Sequence, residues 1–475
     1  MVRGRDVTFP WLLAIVFLLP LPLGSNRDWL WMPLAAATFL LAAVVCNQLL
    51  REQATTSRAL REAWPAHLAL GTWLVFGAIQ FLVPMPWLGR AGNTISVEPA
   101  ISASVWFQSL FLVVLFSLTL QLARSRRRVR RLMGVMVLAG VVQATYGALM
   151  TLSDLEFGAF GPKEHGIGLA TGTFINRNHF AGFLELCLAV GLGALVAELG
   201  ESQTASSTRA QIRNLAATLL GPKMRLRLSL AVMVVALVLS RSRMGNTAFF
   251  ASLLITGALA LLLMRRPPRS LVILLVSLLA IDILIVGTWF GVEQVVDRIQ
   301  ETGQYNETTG RYQDEDRLDV DAETLIAFAG YRWLGSGGGT FYTVFPSHRP
   351  ADVAAYFDHA HNDYFEFLLE YGLLGVVPLV AFLLMSAATA LHALRRRRDP
   401  LMKGVGFAVL MAVAAMGIHA TVDFNLHIPA NAAYFMMILA LAWIAQRHRS
   451  RNGSGSRGRD GSVDRSEPEL LKNEE

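Results

Sequence analysis

Long runs of apolar side chains alternate with short polar turns along nearly the whole chain. A hydrocarbon core of roughly 30 Å is crossed by about 20 helical residues. Twelve runs approach that length: 9–24, 29–50, 67–88, 103–123, 132–153, 179–199, 226–240, 245–264, 270–291, 364–394, 404–421 and 430–446. Backbone groups in lipid must pair within their own segment, so these runs are predicted as helices. The fold class that follows is an all-α polytopic membrane protein with about 12 transmembrane helices. One stretch between helices 9 and 10 breaks the rhythm, and the chain divides around it. Residues 1–291 hold helices 1–9, 292–362 form a large, partly helical loop, 363–446 hold helices 10–12, and 447–475 are a Gly/Ser-rich tail expected to be disordered.

The loop 292–362 carries twelve acidic and five basic residues. Within it Leu318, Ala322, Leu325, Ile326 and Ala329 recur at helical spacing, which predicts one or two helices lying over the bundle. The run GSGGGTFYTVF follows. It reads either as a cap packed on the helices or as a lid, with glycines as hinges and aromatics as sugar-stacking faces.

Composition and charge set the orientation. With 53% hydrophobic and 16% charged residues, the chain is too apolar for an ordinary soluble domain. Arg3 and Arg5, REQATTSRALREAW, RSRRRVRR, the 200–228 loop, RRPPR, RRRRDPLMK and the tail fall on one side of the twelve-helix plan. The positive-inside rule makes that side cytoplasmic, holds both termini there and turns the 292–362 loop outward. The net charge of +7 reflects this bias, not nucleic-acid binding. MVRGR resembles a signal peptide's basic flank, but LPLPLGSNRDW lacks a small-x-small cleavage site, so the first run is expected to stay as an anchor. Cys46 and Cys187 lie in predicted helices, without ligand spacing, and are expected as small buried residues.

Candidate chemistry gathers on the outward side. Arg177 in TGTFINRNHFAG, and Arg241 and Arg243 in VLSRSRMGN, stand where the charge rule disfavours cations. A guanidinium near lipid costs a few kcal/mol, which a bound anion would offset. Snorkelling, or pairing with Glu185 or Glu366, is the alternative. A planar guanidinium grips phosphate in a bidentate fork, so the functional reading is a phosphate clamp. In DHAHNDYFEFLLEYGLLG, His361 stands at the mouth of helix 10 with an imidazole suited to proton transfer at neutral pH. His359, Asn362, Glu366 and Glu370 accompany it. HATVDFNLHIPAN adds His419, Asp423, Asn425 and His427, which either orient other groups or satisfy buried backbone. No HExxH pattern or diagnostic ligand spacing occurs, so no metal site is expected. P-loop and GxSxG motifs are also missing, which leaves ATP-driven transport and serine hydrolysis without support.

Taken together, TGTFINRNHFAG, LSRSRMG, the RLDV stretch, GSGGGTF, HNDYFEFLLEYGLLG and DFNLHIPAN resemble, in this order, the recurring blocks of the bacterial O-antigen ligase and O-antigen polymerase superfamily. The resemblance implies an inverting membrane glycosyltransferase at the periplasmic face of the inner membrane, metal-independent and without a cofactor. Its donor would be a polyprenyl diphosphate-linked glycan. Its acceptor would be a glycan or the lipid A core, with a chain-length regulator as partner if the enzyme is a polymerase. Carried onto this chain, Arg177 and Arg243 would bind the diphosphate and His361 would be the base. Arg241, Asn362, Glu370, His359, His419 and Asp423 would support them. The rival reading is a transporter or flippase for anionic lipid-linked glycans, which predicts inverted repeats and broken helices in corresponding halves; the sequence shows neither.

Overall fold

The computed structural model describes residues 7–89, 93–163, 166–201, 222–264, 272, 276, 305–306, 311–349 and 357–447. Fourteen helices are described: α1 Thr8–Leu18, α2 Asp28–Leu50, α3 Arg58–Glu62, α4 Trp64–Leu82, α5 Pro99–Leu122, α6 Arg126–Leu152, α7 Arg177–Glu201, α8 Pro222–Leu239, α9 Arg243–Leu263, α10 Gln313–Tyr331, α11 Phe341–Val344, α12 Asp363–Arg396, α13 Pro400–His419 and α14 Pro429–Arg447. A two-residue antiparallel pairing sets Tyr305 opposite Tyr312 and Asn306 opposite Arg311.

Among the described residues nine helices are long and apolar enough to cross a membrane: α2, α4 to α7, α9 and α12 to α14. They realise nine of the twelve predicted runs. The first run instead folds as α1, with 11 residues, about 16 Å at 1.5 Å per residue and too short to cross alone. Its continuation turns at Leu23 and Gly24, both with positive φ, behind two prolines that cannot continue a helix. The seventh run is α8, which carries Lys223, Arg225 and Arg227 in its first turns. The ninth, 270–291, lies almost wholly outside the described residues, as does the tail 448–475.

Side-chain size sorts the helices into a centre and a periphery. In α7 and α14, 94% of the apolar window is buried, against 28–50% in the peripheral helices apart from α13. The peripheral helices show exposed Leu, Val and Trp, as lipid contact requires. In the middle, α7 and α13 pack backbone to backbone where Gly193 and Gly404 meet; a Cβ at either would strike the other's carbonyl oxygen. Small residues permit this approach, and dispersion rewards it in lipid. Cys187 is buried there, whereas Cys46 is exposed on α2, contrary to expectation.

The helix starts carry their own signals. Ser125, Ser242, Asn362 and Asp399 accept backbone N–H bonds at the first turns of α6, α9, α12 and α13, satisfying donors that a helix leaves unpaired. At one end of the bundle Arg126 Nη1 meets Asp399 Oδ2 at 2.9 Å, joining two of the arginine-rich turns. The opposite end of the same helices, where α12 begins and α13 stops, carries the histidines described below.

The helix α12 is broken at Gly372, whose φ of +60° and ψ of −179° leave the helical region. The 332–337 segment splices into the break. Ser336 and Gly337 donate to Leu369 O and Glu370 O, and Leu373 and Leu374 donate to Arg332 O and Trp333 O. Gln80 of α4 adds its amide to Leu334 O and Glu370 O. The freed backbone groups are thus satisfied inside protein, the condition for irregular backbone at membrane depth. Gly335, Gly337 and Gly338 are therefore buried, and Gly335 and Gly337 are held by backbone bonds rather than free as hinges. Gly335, at φ +73°, lies against the Glu370 carbonyl with no space for a Cβ. Phe341 and Phe345 stack at 5.0 Å inside a small core with Val320, Ala327 and Leu369, so they are not open sugar-stacking faces.

The predicted loop helix exists as α10, turned over relative to its predicted face. Val320, Thr324 and Ala327 are buried, while Leu318, Leu325 and Ile326 are 69%, 42% and 59% exposed. The smaller stripe allows close packing on α12.

Candidate active site

Three chain segments converge where α12 begins. The first turn of α7 supplies His179, the segment leading into α12 supplies His359 and His361, and the α13–α14 turn supplies His419, Asp423 and His427. Asp363 N donates to Ala420 O at 3.0 Å, tying the start of α12 to the end of α13. Asn431 of α14 donates to His179 O and to Asn425 Oδ1. Gly182 leaves the space that Asn425 fills.

Asp423 is the centre of one polar cluster. Its Oδ1 lies 3.5 Å from His179 Nε2 and 3.7 Å from His361 Nδ1, and its Oδ2 lies 4.0 Å from His419 Nε2. The Asp423 side chain is 1% exposed and that of His361 17%. Burial opposes the Asp423 charge, but the facing imidazoles, His179 foremost, hold its carboxyl well below the usual carboxylate range. His361 has φ +55°, a strained conformation for a residue with a Cβ, and such strain clusters at functional sites. Asn362 follows it as the N-cap of α12, accepting from Tyr364 N and Phe365 N, so Asn362 positions backbone.

The ring of Phe424 fills the space between the histidines. His359 stacks on it at 4.0 Å, and the rings of His179 and His361 meet it edgewise at 4.6 and 4.9 Å. The imidazoles are thereby locked by packing as well as by charge.

A second cluster adjoins the first. His427 Nδ1 bonds Asp363 Oδ1 at 2.8 Å, His359 Nδ1 bonds Glu366 Oε1 at 2.6 Å, and Ala360 N donates to Glu366 Oε2 at 2.9 Å. Burial weighs against charge on His427, yet Glu366 and Asp363 prevail and push it up to about 10. His359 is raised as well: burial counts against its charge and Glu366 overcomes it. Deeper in the bundle His419 Nδ1 meets Glu185 Oε1 at 2.7 Å, both side chains fully buried. The carboxylates that sequence offered as arginine partners are therefore engaged by imidazoles. Glu366 serves His359 and His427 rather than His361, and among the described residues the carboxylate nearest His361 is Asp423. Glu370 Oε1 accepts from Phe341 N at 3.3 Å.

The arginines flank these clusters. Arg177 opens α7, two residues before His179, and is half-buried. Arg243 opens α9 and is exposed. Two residues on, a Cβ at Gly245 would come within 2.6 Å of Ala181 Cβ, so the first turns of α7 and α9 touch. Arg241 is exposed in the preceding turn at φ +51°. No sequence pattern marks a role for His179 or Asp363. The available signal for His179 was an imidazole in the first turn of an otherwise apolar helix, two residues from Arg177.

The arrangement offers a proton acceptor beside an ionised carboxylate, with cations at two adjacent helix starts. No curated protein matches the chain. Residues 228–380 match the family model described as O-antigen ligase, a span that includes Arg241, Arg243, the glycine run, His359, His361 and Glu370 and stops short of Arg177, His419 and Asp423. That match spans less than half of the chain; over it the protein is similar to the O-antigen ligase family, and its apolar helices are long enough to cross a membrane.

Proposed function

We propose that the protein transfers a glycan from a polyprenyl diphosphate carrier to an acceptor hydroxyl, with inversion, at the periplasmic face of the bacterial inner membrane. The observation that carries this reading is the 3.7 Å approach of Asp423 to His361 Nδ1, beside the paired starts of α7 and α9. The arginine-rich turns at the far end of the bundle support the outward orientation by the positive-inside rule.

In this mechanism the acceptor O–H gives its proton to His361 as its oxygen attacks the anomeric carbon. The C–O bond to the diphosphate breaks from the opposite face, and polyprenyl diphosphate departs with the electron pair. Asp423 stabilises the imidazolium that forms, as a buried carboxylate does beside any base histidine. Arg177 and Arg243 hold the diphosphate as fixed positive charges where negative charge develops, an effect worth a few kcal/mol per group. Arg241 adds to that field. The acceptor is a glycan or the lipid A core, and both follow the same steps.

Reconstitution of the purified protein with a lipid-linked donor and each acceptor tests this. Wild type is expected to release polyprenyl diphosphate without ATP, and folded His361→Ala and Arg243→Ala variants are expected to fail. Full release by both variants would refute the assignment.

A further inference from the structure

The second cluster holds four ligand-type side chains that the transfer chemistry does not use. His359, Glu366 and His427 each bring one ligand atom to within 4.8 Å of the others. Glu370 adds Oε2, 4.0 Å from His427 Nε2. The remaining polar atoms of three of these side chains are already engaged outward. His427 Nδ1 is held by Asp363, Glu366 Oε2 by Ala360 N and Glu370 Oε1 by Phe341 N. This leaves His427 Nε2 and Glu370 Oε2 buried without a hydrogen-bond partner, on a Glu370 that is 1% exposed. A buried polar atom without a partner costs about 1–3 kcal/mol, and two facing each other call for a common ligand.

The outward bonds have the form that metal sites use. A carboxylate on the far nitrogen of a histidine fixes the tautomer and aims the other nitrogen at the ion; Asp363 does this for His427. Two imidazole nitrogens and two carboxylate oxygens suit zinc-class divalent ions better than magnesium or calcium. A tetrahedral ion with bonds of about 2.0–2.1 Å separates its ligand atoms by roughly 3.4 Å. Glu366 Oε1 and His427 Nε2 already stand 3.4 Å apart. The 2.6 Å contact of His359 with Glu366 would open, and the 4.0 Å gap to Glu370 would close, each by less than about 1 Å on the same geometry. With neutral imidazoles the two carboxylates balance a double positive charge.

We propose that His359, Glu366, Glu370 and His427 bind one divalent transition-metal ion of the zinc class, which clamps the start of α12 to the α13–α14 turn. Because His359 stacks on Phe424 and Phe424 touches His361, the ion steadies the segment carrying His361 without taking part in bond making. This site is separate from the proposed transfer reaction, and its test reads binding and stability.

Full-length protein, purified in detergent with a tag free of histidine, is stripped with chelator and resupplied with zinc, magnesium or calcium. Elemental analysis should find about one zinc per chain and no retained magnesium or calcium. X-ray absorption should show nitrogen and oxygen ligands only. Zinc should raise the thermal midpoint of wild type by several degrees, and Glu370→Gln and His427→Gln should lose both the bound ion and the shift. Should either variant fail to fold, the wild-type stoichiometry and absorption spectrum still decide. Substoichiometric zinc in wild type, or equal zinc and equal shift in the folded variants, would overturn the proposal and leave a network of ion pairs.

Discussion

Replacing Asp423 by Asn removes one charge from the proposed site while keeping the side chain's shape. At an effective dielectric of about 20, two unit charges about 4 Å apart interact by roughly 4 kcal/mol; the Asp423–His361 separation is 3.7 Å. His179 and His419 face the same carboxylate, so the share available to an imidazolium on His361 is about 2–3 kcal/mol. Because that charge exists only once the proton has moved, the loss should fall on kcat, by roughly 30- to 150-fold, with the donor KM within about threefold. The assay is initial-rate release of polyprenyl diphosphate by folded Asp423→Asn protein. A positioning residue acts through its partner, so adding Asp423→Asn to His361→Ala should cost nothing further. Retention of more than about a third of wild-type kcat, or full additivity of the two changes, would refute the pairing.

Three further outcomes follow from the packing and charges. Gly335→Ala forces a Cβ onto the Glu370 carbonyl at φ +73°; it should cost more than the roughly 1–2 kcal/mol of left-handed backbone alone, read as a thermal midpoint lowered by several degrees. An unchanged midpoint would mean that the splice at Gly372 yields easily. His419→Ala should destabilise by about 3–5 kcal/mol in a denaturant series, since it strands a buried Glu185 carboxylate, whereas Glu185→Gln with His419→Gln should recover part of the loss. The loop before α7 is held by Lys163 Nζ on Glu156 Oε2 at 2.7 Å. Burial raises the Glu156 carboxyl, but Lys163 and Gly168 N outweigh it and leave it lowered. The stabilisation is therefore complete above the ordinary glutamate range and lost as pH falls through the lowered value. Amide exchange in 156–163 and 166–170 should rise at acid pH in wild type and already at neutral pH in Glu156→Gln.

Helix positions were largely legible because lipid makes hydrophobicity a direct readout of span. Among the described residues the nine helices long enough to cross fall on predicted runs, and His361 and Asn362 stand where DHAHNDYFEF enters one of them. Features that depend on side-chain partners were not legible. The glycine run GSGGG gave the same signal for a hinge and for a close approach, and only the break at Gly372, thirty-three residues after Gly339, distinguishes them. The α10 face was misassigned because two apolar stripes share that helix and the smaller one packs. Glu366 and Glu370 share a helix face with His361 nearby, yet among the described residues the nearest carboxylate to His361 is Asp423, sixty-two residues on. The His359, Glu366 and His427 group carries no spacing signature because its members come from two separate segments.

The central claim is that one encounter joins acceptor oxygen to the anomeric carbon as the diphosphate leaves. A single-turnover reaction with donor labelled at that carbon, followed by NMR of product and lipid, tests it most directly. One new glycosidic bond of inverted configuration is expected for each polyprenyl diphosphate released, with both events lost together in His361→Ala. Retained configuration, or release of lipid without a new bond in the presence of acceptor, would contradict it.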